Sequence, residues 1–335
     1  MTMDRVLGGL AGAVIGDAFG AATENCSREF LTERGIWVET FTEPAEGAYA
    51  HGRPVGAFTD DSSQTLMLAE LLVEQRGELR TSDMVRMLLA WSANEELAGR
   101  FTGPSTRAAL QRIAGGEDPA VVGRGDSHHR TGETNGAAMK AAPAGWVHPG
   151  DPEGAVRMAQ TIARASHNTT CGMAGACAIA AAVAQASVTD DFDTVVEAAR
   201  YGAEAGERAG RSGGRDAGGP SLARRIEWAV GLADPERRIT EVVDDVAYLV
   251  GTGMAAVESV PAAIAFAAYG QGDLRTTVIA ATNAGSDSDT VASMAGAIAG
   301  TFAGRPGIDA SWLQLVSEVN KLDLANLADE LSRLS

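Results

Sequence analysis

Aromatic side chains are scarce, at 5% of the 335 residues. A core with so few large rings must be filled by smaller residues. Glycine, at 40 residues, exceeds the average usage of about 7%, and small side chains let helices approach closely. Cysteine is scarcer still. Cys26, Cys171 and Cys177 form neither an even set nor a C-x-x-C pair, which excludes a disulfide framework and leaves reduced thiols in a cytoplasm as the expectation. Positive charge is also short, with 27 Lys and Arg against 44 Asp and Glu and a net charge of −17. Nucleic acid and an anionic membrane surface need a basic footprint that this chain lacks, so neither is expected as a partner. An anionic substrate would need metal or arginine to offset the field around its site.

Alternating Val/Ile/Thr runs bounded by hairpin turns are missing, which argues against a sheet. Long strongly apolar runs are missing too. Residues 171–187 and 291–303 are Ala- and Gly-rich, the composition of core helices rather than membrane spans. The first twenty residues hold an apolar stretch, but Asp4, Asp17 and an unbroken helical pattern do not resemble a signal peptide.

What the chain does contain is helical periodicity. Apolar residues recur at three- and four-residue spacing over 4–22, 61–76, 82–97, 103–114, 152–165, 168–187 and 190–208. The pattern continues over 219–232, 238–250, 256–269, 271–282, 287–303 and 309–333. Between them, 25–58 and 115–135 are long irregular stretches of the kind that are functional or disordered. The Gly- and Arg-rich segment 210–220 is expected to be a mobile loop. No repeat or linker divides the chain, so the reading is all-α, one large domain over residues 1–335.

Two short motifs raise the chemical question. TDDSSQT (59–65) and SDSDT (286–290) each place paired carboxylates and a threonine at a helix start. Asp and Ser are favoured N-caps, and acids in a first helical turn suit the dipole. Capping needs one acceptor per helix, however, not two acids and a hydroxyl. Brought together, Asp60, Asp61, Asp287 and Asp289 would repel one another unless a cation sat among them. Their hard oxygen donors suit Mg²⁺ or Mn²⁺, and no HExxH or Cys/His cluster offers a zinc site. Two helix mouths clamping one or two divalent ions is the expectation.

These motifs, with GDAFGAATE (16–24), TNGAAMKAAPAG (134–145), ASHNT (165–169), ESVPAAIAFA (258–267) and GSDSDTVASMAGAIAG (285–300), resemble in order those of the ADP-ribosylglycohydrolases, dinitrogenase-reductase-activating glycohydrolases included. The resemblance implies a large orthogonal multi-helix bundle with a binuclear centre, magnesium first and manganese second, that cleaves ribosyl glycosidic bonds. It assigns metal ligation to Thr59, Asp60, Asp61, Asp287, Asp289 and Thr290. Glu24 falls where some members place an acid touching a metal or its water, and either Glu24 or Asp60 is the general base. Asn135, Gly136 and His167 match positions lining the ribose and phosphate pocket, while Asp17 is taken as a structural hydrogen-bonding acid. RGDSHHR (124–130) is taken as a solvated loop, and GPST (103–106) as a helix start that could face phosphate.

The chain departs from the family pattern at two places. RTGETNG puts Glu133 where a glycine-rich run is usual, and that charge would repel a diphosphate unless it turns away. GSDSDT carries Ser286 and Ser288 where Gly and Thr are usual. The substrate is therefore expected to be an ADP-ribosylated protein or a small ribosylated molecule, such as a nucleoside or ribosyl-phosphate. A non-catalytic relative is the remaining alternative.

Overall fold

The computed structural model describes residues 2–334, which form eighteen α-helices. Among the described residues there is no strand, only isolated bridges at Thr134–Ala255 and Thr169–Arg215. In chain order, α1 (Met3–Gly20), α2 (Arg28–Glu33) and α3 (Asp60–Glu74) come first. Next are α4 (Thr81–Ser92), α5 (Glu95–Phe101), α6 (Pro104–Ala114), α7 (Pro119–Val122) and α8 (Ala142–Trp146). The middle holds α9 (Pro152–Arg164), α10 (Thr170–Ala186), α11 (Phe192–Gly213), α12 (Leu222–Leu232) and α13 (Ile239–Asp245). Last are α14 (Ala256–Gly270), α15 (Leu274–Asn283), α16 (Ser288–Ala303), α17 (Ala310–Asn320) and α18 (Leu324–Ser332). No helix among the described residues is long and apolar enough to cross a membrane.

Several stretches differ from the sequence expectation: α2 and α7 interrupt the segments 25–58 and 115–135 read as irregular, and α8 stands where periodicity marked no helix. The pattern over 309–333 is two helices, because Lys321 turns left-handed (φ 56°) and Asp323 caps α18 by accepting from Asn326 N. Similarly 82–97 breaks before α5, where the Asn94 side chain accepts from Leu97 N. The segment 210–220 is not loose. Arg215 donates to the carbonyls of Arg124 (2.6 Å) and Thr131 (2.9 Å) and to Glu133 Oε1 (3.1 Å), fastening it to the 124–133 loop.

α1 and α16 run antiparallel through the core, and glycine decides how near they come. Gly8, Gly12, Gly16 and Gly20 are spaced by four and share one helix face. They meet Gly300, Gly296, Ala292 and Ser288 of α16 in the reverse order. A Cβ at any of the four would stand less than 3.0 Å from a backbone oxygen of α16. The helices are thus in backbone-to-backbone contact, which requires residues without side chains. Trp146 closes one side of this seam, with Nε1 donating to Thr301 Oγ1 (2.9 Å). α10 and α14, buried along almost their whole lengths, complete the centre.

Substituting the seam tests this account against helix propensity. Gly→Ala normally stabilises a helix by roughly 0.5–1 kcal/mol. Gly231→Ala on α12, where an added Cβ meets nothing within 4 Å, is expected to follow that rule. Gly12→Ala should instead destabilise by about 1–3 kcal/mol, because the seam must open. Urea unfolding of both variants checks the contrast, and a neutral Gly12→Ala would contradict the packing described.

Candidate metal centre

The helix mouth at α3 is arranged from outside the helix. Thr59, its N-cap residue, makes no side-chain cap bond. Asp17, from the last turn of α1, takes over. Its carboxylate accepts from Thr59 N (2.9 and 3.1 Å), Thr59 Oγ1 (2.8 Å) and Ser62 N (2.8 Å). The orphan amides of the first turn are satisfied by a distant acid. Asp60 and Asp61 are therefore released from capping, and the bland explanation of the TDD motif does not hold.

The mouth of α16 follows the same logic. Asp287 is its N-cap residue and also makes no side-chain cap bond. It accepts from Asn135 Nδ2 (2.5 Å), which donates as well to Ser259 Oγ on α14 (3.0 Å). Ser288 Oγ donates to Gly20 O (2.9 Å) and lies 2.9 Å from Thr23 Oγ1, tying α16 to the end of α1. The next residues are pinned by a reciprocal pair, Asn25 N to Ser286 O and Ser286 N to Cys26 O, both 2.6 Å. Glu24 is thereby held opposite Asp287. Ser286 adopts φ 62°, a left-handed conformation in which its side chain costs about 1 kcal/mol relative to glycine.

Two sets of acids result. Oxygens of Asp17, Asp61 and Asp289 lie within 4.8 Å of one another, and so do those of Glu24, Asp287 and Asp289. Asp289 belongs to both, and Thr59 Oγ1 bridges Asp61 (3.2 Å) and Asp289 (3.2 Å). Burial and mutual repulsion hold protons on this cluster. Glu24 is pushed up to about 9 by burial and by Asp287, Asp60 and Asp17. Asp287 is raised by burial to about 6, with the Asn135 bond opposing. Asp60, Asp61 and Asp289 are raised well above the usual carboxylate range by burial first, then by neighbouring acids.

This cluster fits a divalent cation. Glu24 Oε2 and Asp61 Oδ1 are buried with no hydrogen-bond partner among the described residues, which is costly for a carboxylate unless something positive meets it. All the donors are hard oxygens, suited to magnesium, manganese or calcium rather than zinc. Lys140 is the nearby cation. It is 1% exposed, donates to Gly136 O, and stands close enough to Asp60 and Asp61 to oppose the burial that pushes it down to about 8.

A cleft in two lobes reaches the cluster. The smaller, about 260 Å³, is lined by Glu24, Asp60, Asn135, Gly136, Asp289 and Thr290 among others, and by Arg100 and Arg107 farther out. The larger, about 570 Å³, shares Glu24, Tyr49, Met254 and Asp287 with it. The sequence-derived residues thus separate by depth. Asp60, Asp287, Asp289, Thr290, Glu24, Asn135 and Gly136 face the cleft, whereas Thr59 and Asp61 lie beneath it. His167 is set one layer behind the wall. It is wholly buried, with Nε2 2.9 Å from Thr134 Oγ1 and Nδ1 2.8 Å from Ser166 Oγ, and burial with Lys140 pushes it down to about 3.

Sequence reasoning missed Lys140 and understated Asp17. Lys140 sits inside the quoted TNGAAMK stretch, and the signal was a lysine in an otherwise apolar, buried run. Asp17 is the structural acid expected and also a member of the cluster. The threatened repulsion from Glu133 is removed: it is buried, lines neither lobe, and has its oxygens taken by Arg130 Nε (2.8 Å) and Arg215 Nη1 (3.1 Å).

The proton-holding cluster has a measurable consequence. Unfolded, Glu24 and Asp287 lose protons near 4.5 and 3.8; folded and metal-free, near 9 and 6. The folded state then holds more protons over that span, so its stability falls as pH rises. Two groups act in the opposite sense: His167, lowered from 6.5 to about 3, up to about pH 6.5, and Lys140, lowered from 10.5 to about 8, only above about 8. In EDTA, urea unfolding should show stability declining from about pH 6.5 to pH 8, and saturating Mg²⁺ or Mn²⁺ should flatten the slope. A metal-free stability that climbs across this window would refute the clustering.

Comparison with known proteins identifies the family. The family model described as ADP-ribosylglycohydrolase matches residues 1–335. The uncharacterized protein YegU of Escherichia coli (strain K12) is 29% identical over 336 residues, covering 99% of this chain and 98% of that one. ADP-ribosylhydrolase ARH3 of Bos taurus is 26% identical over 363 residues, covering 99% of this chain and 93% of that one. A solved structure titled ADP-ribosylglycohydrolase-related protein complex superposes with a TM-score of 0.70 at 25% identity, over 99% of this chain and 98% of that one. Fold, order of motifs and whole-length match converge, and the chain belongs to the ADP-ribosylglycohydrolase family.

Proposed function

We propose that this chain is a metal-dependent glycohydrolase that cleaves the ribosyl glycosidic bond of ADP-ribosylated side chains or related ADP-ribosyl compounds. The observation that carries the reading is the buried cluster in which Asp289 belongs to two sets of acids and two carboxylate oxygens have no partner. Thr59, Asp60, Asp61, Asp287, Asp289 and Thr290 would hold two divalent ions, magnesium first and manganese second. Bound there, such ions orient sugar hydroxyls and acidify water.

The remaining steps belong to the protein. Asn135 Nδ2 keeps Asp287 Oδ2 turned toward the centre, and Ser259 keeps Asn135 in place. Arg100, Arg107 and the N-terminus of α6 give the smaller lobe a positive lining for phosphate. Glu24 is the general base of choice over Asp60. Its Oε2 is unpartnered and it borders both lobes, whereas Asp60 Oδ2 accepts from Gln64 Nε2 (3.3 Å) and lies near Lys140. As a water oxygen bonds to C1″ of the ribose, the bond to the side-chain atom breaks through an oxocarbenium-like state. The water's proton passes to Glu24 Oε2, and the departing atom takes up a proton.

A diphosphate-bearing substrate is favoured over a smaller riboside because the charge expected to repel it, Glu133, is engaged by two arginines away from the cleft. The relative named ADP-ribosylhydrolase ARH3 supports the same choice.

Hydrolysis of ADP-ribosyl-arginine and ADP-ribosyl-serine peptides, read by mass, tests the reading. EDTA should abolish turnover. Asp289→Ala should lower kcat/KM by about 100-fold or more, the upper range for lost metal-site residues, and erase the rise in Tm produced by Mg²⁺ or Mn²⁺. Full turnover in EDTA would overturn the metal-dependent reading. Glu24→Gln separates base from ligand: it should lower kcat by about 100-fold while the cation-induced rise in Tm persists. Unchanged kcat would return the role to Asp60.

A further inference from the structure

The proposed hydrolysis uses the smaller lobe and leaves the larger without an occupant. The two differ in charge. Beyond the shared acids of the centre, the smaller lobe contributes Arg100 and Arg107, while the larger contributes Glu29 and Glu258. Arg28, the cation on the larger lobe's wall, is already engaged. Its Nε donates to Asp244 Oδ1 (2.7 Å) and its guanidinium lies 5.5 Å from the Trp37 ring. Glu29 is exposed and, among the described residues, makes no ion pair. Glu258 accepts only from Gly253 N (3.2 Å). With the central acids offset by cations, one lobe stays positive and the other negative.

The mouth of the larger lobe is also apolar where a free surface would not be. Tyr49, Tyr248 and Met254 line it and are 50%, 60% and 48% exposed. Leu249, next in the chain after Tyr248, is also exposed, and Arg225, whose guanidinium lies over the Trp228 ring, donates to Val250 O. Tyr248 is carried on a wide π turn, Val246–Val250, that ends at Gly251 with φ 89°. Such turns interrupt helices mainly at working sites. In a chain with 5% aromatics, grouping exposed rings at one opening marks a contact surface.

Resting on the hydrolase reading above, we propose that the larger lobe is the leaving-group subsite and takes a basic peptide segment, so that the preferred substrate is a ribosyl group borne on a protein beside Lys or Arg residues. Glu29 and Glu258 supply the complementary charge, and the tyrosine faces attract flanking cations. A nucleobase-phosphate or oligonucleotide leaving group would be repelled by the same carboxylates. A free riboside would leave the aromatic rim uncovered.

The test uses arginine- and serine-linked ADP-ribosyl peptides made with Lys-rich or Glu-rich flanks, beside the free ADP-ribosyl amino acids. Basic flanks should raise kcat/KM about tenfold through KM, and the advantage should shrink with added salt. Tyr248→Ala and Glu29→Gln should erase the preference while leaving kcat on the free compounds unchanged. Equal kcat/KM for both flanks, or unaltered preference in both variants, would overturn the subsite. Should no compound be hydrolysed, the hydrolase reading fails separately. Binding then decides the subsite: a fluorescent Lys-rich peptide should bind the wild type and lose affinity in Tyr248→Ala, and equal binding by a Glu-rich peptide or an oligonucleotide would refute it.

Discussion

The contact between the backbones of α1 and α16 governs everything above it. Because Gly8, Gly12, Gly16 and Gly20 present no side chain to α16, the two helices lie as near as peptide groups allow. They run antiparallel, so the end of α1 meets the start of α16. That single arrangement sets Asp17 and Glu24, from one end of the chain, beside Asp287 and Asp289, from the other. A seam one methyl group wider would move the acids apart by a distance comparable with a metal–oxygen bond.

The charges so gathered are unfavourable by themselves. Six carboxylates, Asp17, Glu24, Asp60, Asp61, Asp287 and Asp289, share a buried region where burial raises the hold of each on its proton, and neighbouring acids raise it further for Glu24, Asp60, Asp61 and Asp289. The protein lessens this with few devices. Asp17 is spent on four hydrogen bonds at the mouth of α3, and Lys140 brings one buried cation near Asp60 and Asp61. The rest of the deficit is what suits the cluster to a cation, beyond anything capping requires. Strain of this kind concentrates where function does.

Charge also organises the cleft outside the centre. Arg100, Arg107 and a helix N-terminus lie toward one lobe, Glu29, Glu258 and Tyr248 toward the other, with Tyr49 shared between them. A substrate that is anionic at one end and attached to a cationic chain at the other would be aligned before any chemistry begins. The acid-rich composition, which argued against nucleic acid, has the same sign as the larger lobe.

The helical architecture was legible in the sequence, since three- and four-residue spacing is a local property that packing only confirms. So was the donor chemistry of the site, because Thr59, Asp60, Asp61, Asp287, Asp289 and Thr290 carry hard oxygens at helix starts whatever their partners. Breaks such as Lys321 were not legible, as one left-handed residue leaves the apolar pattern intact. Nor were the duties of Asp17, Glu133 and Lys140. Each depends on which group from a remote segment stands within 3 or so ångströms of it, and separation along the chain carries no record of that. Donor type and helix period are intrinsic to residues and their neighbours. Burial, hydrogen-bond partner and proton affinity are properties of an environment, and only the folded chain creates one.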